Sequence, residues 1–423
     1  MRLLSTINIK VKRGFLPHLA NEIYKKCCEI RRSMLLENQG EFDLFRIEIF
    51  YSNKEKFKGL LDKISKHGGN FQIVSFENNI EDEIKGGLLN VSGKMIIENM
   101  LDYEMKVQGV SELAMELINS GGDNKKYTGI SRNIGLISGI KTTEDSGINL
   151  LQSYIRMETD AVIINRFCGL NAFPIIIKFN EIDDFIKTLQ RIEKTFSAIR
   201  ICSLEEIDDI TAYEQIYSDC SLPILSQYYD EIPAAVMAAV FHLIEKYKID
   251  ISNKNVGFIG LNASSLRLTK LLIKTGFYRI LGCDNNMKLM HNFEKQGGLA
   301  TTQENIFNNS DIIILLKNFF SEDDFKKTGS GQIIISLVDS TIDISALKAK
   351  GVREILSFGW MDLAGLYPGI LKGFLSSDIN RIYDDNITKL AKRIIEIRSG
   401  EEIIPDVFSG IHEKIEKIIG DLS

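Results

Sequence analysis

The chain is expected to have an α/β fold built in three successive parts, and three observations lead to that expectation. Strand-like and helix-like stretches follow one another in the order βαββαβ over residues 4–76. Two apolar runs without alternation, AVIIN at 161–165 and AFPIIIKF at 172–179, suit interior strands of a parallel sheet. From residue 255 the string NVGFIGLNASSLRLTKLLIKTGFYRILGCD reads as strand, glycine turn, helix, strand and acid, the opening of a doubly wound sheet.

The first part takes residues 1–80. Residues 4–11 alternate as a strand, and 16–32 read as a helix. A hairpin then closes on FDLFRIEIFYS, followed by a helix over 54–66 and the strand FQIVSF at 71–76. The second part, 81–230, holds the two apolar runs and then FIKTLQRIEKTF at 185–196, whose apolar residues recur at helical spacing. The third part, 231–423, opens on PAAVMAAVFHLIEKYKI at 233–249, a long helix with Pro233 in its first turn. Past the glycine turn, DIIILLK at 311–317 and QIIISLV at 332–338 extend a parallel sheet with helices between them.

Composition narrows the function classes. With 423 residues and 44% hydrophobic content, the chain can bury several cores. Its first residues alternate instead of forming a basic end followed by an apolar run, and no stretch approaches the roughly 18 apolar residues of a membrane span. The six cysteines are scattered, with no CxxC pair and no zinc-like spacing, which suits reduced thiols in the cytoplasm. A net charge of −6 with intermixed signs leaves no basic stripe for nucleic acid.

Two resemblances add to this reading. The front end resembles an ACT domain, a small amino-acid-sensing module, with Gly14 where the first strand hands over to the first helix and Arg13 where a proline is usual. A ferredoxin-like oligomerisation module with no ligand is the plainer alternative. Residues 167–201, FCGLNAFPIIIKFNEIDDFIKTLQRIEKTFSAIRI, resemble the stretch of malic enzymes between catalytic lysine and metal site. The likeness continues through LPIL at 222–225, the turn at Gly260 and LYPGILKGFLSSDIN at 366–380, covering about residues 85–400. It implies an N-terminal ferredoxin-like ACT domain, a malic-enzyme substrate domain and a C-terminal Rossmann-like domain. Malic enzymes oxidise malate with NAD or NADP and a divalent metal, then decarboxylate the product to pyruvate.

The family's side chains are replaced at each functional part. Asp160, in ETDA, stands where the resemblance puts the catalytic lysine, and Lys106, before Gly109 and Val110, stands near the place of the catalytic tyrosine. The bland readings are a strand-flanking acid and a solvated charge. Neither reproduces a desolvated ammonium group or a phenol acid. The metal carboxylates, counted without gaps, become Cys202 and Ser203, then Gln227 and Tyr228. Magnesium and manganese prefer charged oxygens, so no metal is expected there. A register shifted by three residues would substitute Glu205 and Glu206, with Asp230 or Glu231 left to stand for the second pair.

In the dinucleotide turn, G-x-G-x-x-G becomes Gly260, Asn262 and Ser265, with Asp284 ending the second strand. Only the first glycine remains, while Asp284 is placed to favour NAD through a ribose hydroxyl. Asp339 and Ser340 replace a family asparagine and proline, and the chain around Trp360 is shortened where a second asparagine loop would be. These losses together point to an inactive, ligand-sensing or partner-binding pseudoenzyme without a resident cofactor, with NAD as the alternative. Expected partners are a small effector at the ACT-like domain and either a second copy, as a homodimer, or an active malic enzyme. No nucleic-acid or membrane partner is expected. The competing reading is an active NAD-dependent malate oxidoreductase using Glu205 and Glu206 with a divalent metal.

Overall fold

The computed structural model describes residues 3–66, 69–77, 87–89, 97–119, 128–142, 147–204, 210–318, 320–338, 344–359, 361–398 and 403–422. The chain divides into two compact units, Met1–Val91 and Ser92–Ser423.

The first unit has β1 (Leu3–Lys12), a helix (Leu16–Lys25), β2 (Cys28–Gln39), β3 (Phe42–Tyr51), a helix (Lys54–Lys66) and β4 (Phe71–Glu77). The strands form one antiparallel sheet in the order β2-β3-β1-β4, the ferredoxin-like arrangement. Alternate residues Ile7, Ile9, Ile47 and Ile49 turn inward against Leu19, Ile23 and Leu60 of the two helices, all of them buried. Each such side chain contributes roughly 1.5–3 kcal/mol by leaving water. Gly14 takes φ +82 at the hand-over from β1 to the first helix, a conformation open to glycine at little cost. The expected helix over 16–32 is too long. It ends at Lys25, Cys27 adopts a left-handed φ of 57, and β2 begins at Cys28 in register with β3. Pairing with a neighbouring strand, which local spacing does not reveal, decides residues 28–32.

Among its described residues, the second unit forms two parallel sheets. The first has β5 (Asn133–Lys141), β6 (Asn171–Phe179), β7 (Ala198–Leu204) and β8 (Ile224–Ser226), ordered β6-β5-β7-β8. Residues 161–165, expected as a strand, belong instead to the helix Gly147–Cys168. Met157, Ala161 and Ile164 are buried while Val162 is exposed, so the apolar positions recur at helical spacing on one face. The strand that pairs with β6 is β5, in NIGLISGIK.

The helix Ile232–Tyr247 is buried around its whole circumference from Ile232 to Leu243, as the unbroken apolar run from Ile232 to Phe241 requires. It leads to β9 (Asn255–Ile259), β10 (Arg279–Cys283), β11 (Leu299–Ala300), β12 (Ile312–Leu315), β13 (Ile333–Ser336) and β14 (Glu354–Ser357). Their order, β11-β10-β9-β12-β13-β14 and all parallel, is that of a doubly wound nucleotide-binding fold. The direction of winding reverses between β9 and β12, which puts the crevice of such folds at the carboxyl end of β9.

One helix contact positions the site. Gly369 and Gly373 lie on the helix Tyr367–Ser376 against the helix Ile411–Gly420. A Cβ at Gly369 would meet the His412 carbonyl oxygen at 2.8 Å, and one at Gly373 would meet Ile419 at 2.5 Å. Glycine at both places lets the helices approach closely. Among the described residues, no helix is long and apolar enough to cross a membrane.

Candidate functional site

At the heart of the first parallel sheet, β7 carries a single charged side chain, Arg200, with 2% of its side chain exposed. A lone buried guanidinium would be prohibitively costly, so its partners define the site. Its Nε donates to Glu231 Oε1 at 2.6 Å and its Nη2 to Glu231 Oε2 at 2.8 Å. Its Nη1 donates to Asp160 Oδ2 at 2.6 Å and approaches the Cys202 sulfur at 3.2 Å. The Tyr367 hydroxyl donates to the other Asp160 oxygen at 2.9 Å, and its ring lies 4.0 Å from the guanidinium carbon. Helix, strand, turn and a distant helix thus converge on one cation.

The electrostatics follow from burial and pairing. Burial works against the Arg200 charge, but Glu231 and Asp160 outweigh it and hold the guanidinium well above its ordinary pKa. Burial pushes the Glu231 carboxyl up, opposed by Arg200. The Cys202 thiol is pushed up to about 12, chiefly by burial, and so stays a thiol at neutral pH. Burial and then Asp160 raise the Tyr367 phenol well above its usual value.

A second buried arginine stands alongside. Arg267 Nη1 donates to Asp230 Oδ1 at 2.5 Å and to the Tyr229 carbonyl at 2.6 Å, and Nη2 donates to the Ile382 carbonyl at 2.6 Å. Its Nε reaches Asp384 at 3.0 Å, and the Tyr229 ring lies 4.1 Å from its carbon. Asp230 also accepts from the Ser226 backbone at 2.6 Å and from the Tyr217 hydroxyl. The neighbours Asp230 and Glu231 end a π-helical turn, Gln227–Glu231, and each engages a different arginine.

The third element is the turn after β9. Gly260 has φ +87, and a Cβ there would stand 2.5 Å from Lys317 Cβ and 2.7 Å from its backbone nitrogen. Asn262 caps the helix Ala263–Thr275: its Oδ1 accepts from the amides of Ser264 at 2.9 Å and Ser265 at 3.2 Å. Ser265 Oγ accepts from the Asn262 amide at 2.9 Å, completing a capping box. These helix-terminal amides are the donors a pyrophosphate would use, and a side chain of this chain already holds them. Asp284 Oδ2 accepts from the Leu261 amide at 2.7 Å and lies 2.8 Å from the Lys317 ammonium, while Oδ1 accepts from the Asn286 amide at 2.9 Å.

The residues singled out in the sequence are therefore dispersed among different roles. Asp160 and Cys202 meet at Arg200, whereas Ser203 pairs with Ser138 across the sheet. Gln227 and Tyr228 start the π-helical turn, and the Tyr228 carbonyl accepts from Ser264 Oγ at 2.5 Å. Gly260, Asn262, Ser265 and Asp284 gather at the end of β9. Lys106 is exposed and pairs with Asp102 at 2.8 Å, one helical turn away. Glu205, Glu206, Asp339, Ser340 and Trp360 lie outside the described residues. Sequence reasoning passed over Arg200, Arg267 and Tyr367 and gave Asp230 and Glu231 only a secondary place. The available signals were an arginine inside the apolar string AIRICSL and an acidic pair abutting the buried helix of PAAVMAAV. Among the described residues, no group of three or more His, Cys, Asp or Glu is placed to hold a metal ion.

No protein-family model matches the chain. Among curated proteins it is 21% identical over 399 residues to NAD-dependent malic enzyme 1 of Bacillus subtilis, covering 88% of this chain and 87% of that protein. Its identity to NAD-dependent malic enzyme of Geobacillus stearothermophilus is 20% over 293 residues, covering 62% of this chain and 61% of the other. Among solved structures, malic enzyme from Pyrococcus horikoshii superposes with a TM-score of 0.65 at 20% identity, covering 79% of this chain and 86% of its own. NAD-dependent malic enzyme from Thermotoga maritima gives 0.67 at 16% identity, with 81% and 98% covered. The neighbours of this chain by sequence and by structure are malic enzymes, and identities near 20% fit a divergent member of that family.

Proposed function

We propose that this chain is a catalytically silent relative of malic enzymes, a protein that keeps the fold as a framework for sensing a small ligand or binding a partner. The observation that carries this reading is the grip of Arg200 on Asp160 and Glu231, at 2.6 Å each. A hard divalent ion needs several charged oxygens free to face it. In this pocket both oxygens of Glu231 and both of Asp160 already accept hydrogen bonds, from Arg200 and Tyr367. The carboxylates of this pocket do not suit a metal ion.

The dinucleotide turn supports the same reading. The Bacillus subtilis and Geobacillus stearothermophilus relatives are NAD-dependent, but here the helix-terminal amides are capped by Asn262 and the acid at the end of β10 is held by Lys317. A bound NAD would have to displace both contacts. The Arg200 pocket also lacks the lysine and tyrosine through which the resembling family moves protons. In the Arg200 pocket the lysine of the resemblance is Asp160, and the phenol and thiol beside it have raised pKa values.

The sensing role is assigned to the ferredoxin-like first unit, which resembles an ACT domain, with an amino acid as effector class. A cytoplasmic homodimer, or a pairing with an active malic enzyme, completes the proposal. The test is a turnover assay on the purified full chain with malate, manganese and NAD, followed by NADH and pyruvate formation. No rate above the protein-free blank is expected, and Asp160→Lys alone is expected to restore none. A saturable, metal-dependent rate from the natural chain would overturn the proposal and favour Glu205 and Glu206 as ligands. Thermal shifts with individual amino acids test the sensing half separately.

A further inference from the structure

Away from the Arg200 cluster, a cavity of about 380 Å³ opens beside the helices Ile210–Asp219, Ala263–Thr275 and Asp384–Ile397. Its size is that of a small-molecule site. Tyrosines 217, 229 and 383 supply its aromatic walls, and Arg267, Lys274 and Arg381 its cations.

Each acid lining it already has a basic partner. Glu214 lies 3.6 Å from Lys270, and Asp384 lies 3.0 Å from Arg267 and 3.4 Å from Lys274. Asp385, largely exposed, lies 4.0 Å from Lys274. Arg381 differs from the other cations. Its guanidinium carbon rests 4.4 Å from the Tyr383 ring centre, and among the described residues it makes no hydrogen bond or ion pair. Its Nε is shut off from water with no acceptor. The guanidinium lines the cavity with no ion-pair partner among the described residues, and an entering oxyanion would supply its counter-ion.

We propose that this cavity binds a small ligand bearing an oxyanion, a carboxylate or a phosphate, with Arg381 as its charge partner and the tyrosines flanking its body. The site is separate from the Arg200 pocket and does not depend on whether the chain is catalytically silent. Arg267 joins the two neighbourhoods, since it lines the cavity and pairs with Asp230, the residue next to Glu231.

Calorimetric titration of the full chain with inorganic phosphate, and in a parallel arm with succinate, tests the proposal and separates the two sources of oxyanion. Saturable binding in at least one arm is expected. Arg381→Gln is expected to weaken it by about 10-fold or more, the scale of a charge-assisted hydrogen bond. Arg381→Lys, which keeps the charge but loses the Nε donor and the planar fork, is expected to fall between the two. Saturation in neither arm, or undiminished affinity in Arg381→Gln, overturns the proposal. If Arg381→Gln does not fold, unchanged affinity in Arg381→Lys has the same force.

Discussion

Both oxygens of Glu231 are held by Arg200, at 2.6 Å from Nε and 2.8 Å from Nη2, in a pocket where neither side chain is more than 2% exposed. The pair is valuable chiefly because breaking it is expensive, since each charge has left water and relies on the other. Arg200→Met is therefore expected to destabilise the chain by about 3–5 kcal/mol, the usual cost of stranding one member of a buried pair. Adding Glu231→Gln to that variant should recover part of the loss by removing one stranded charge. Urea unfolding of the single and double variants measures both, and additive losses would show that the two residues do not act as a pair.

The turn after β9 makes a second demand. Gly260→Ala forces a side chain into a left-handed backbone and against the Lys317 backbone nitrogen, 2.7 Å from the new Cβ. A loss of about 1–3 kcal/mol is expected from the backbone conformation alone. A melting temperature equal to that of the natural chain would show that the turn relaxes freely.

Asn262 is assigned a capping role, which its two replacements distinguish. Asn262→Ala should cost about 1 kcal/mol and Asn262→Gly only a few tenths, the ordinary ranking at a helix N-cap. Equal losses in the two would show that the capping box of Asn262 with Ser265 contributes nothing.

Acid should weaken the second unit through His412. Only 2% of this residue is exposed, and neither ring nitrogen has a partner among the described residues. Burial lowers its pKa below the usual 6.5, with Glu413 acting against that and Lys372 reinforcing it. Above 6.5 the imidazole is neutral in both folded and unfolded chains, so pH has no effect through it. As pH falls below 6.5 the unfolded chain takes up a proton that the folded chain refuses, and stability falls. The limiting slope is about 1.4 kcal/mol per pH unit. His412→Leu should remove that slope, and an unchanged pH profile in this variant would assign the acid sensitivity to another group.

The contrast between what the sequence displayed and what it concealed has a physical origin. The doubly wound sheet was legible because its signals are local: a glycine turn after β9, an acid after β10 and short isoleucine-rich runs for β12 and β13. Residues 161–165 misled because a short apolar run is the same string in a buried helix as in a strand, and only Val162, facing outward, reveals the helix. Asp160 was singled out by its place in ETDA, but its partners were not, since Arg200 lies 40 residues away and Tyr367 lies 207 away. Asp230 and Glu231 were set aside because an ungapped count put Gln227 and Tyr228 at the metal position. The π-helical turn instead brings the later pair inward.

Titration of the metal-free chain with manganese, followed by electron paramagnetic resonance, tests most directly whether Arg200 has taken over the pocket. No saturable manganese site is expected, and no change when Asp160→Asn or Glu231→Gln is introduced. Saturable binding that either substitution abolishes would contradict it, because those carboxylates would then be serving an ion and not the guanidinium.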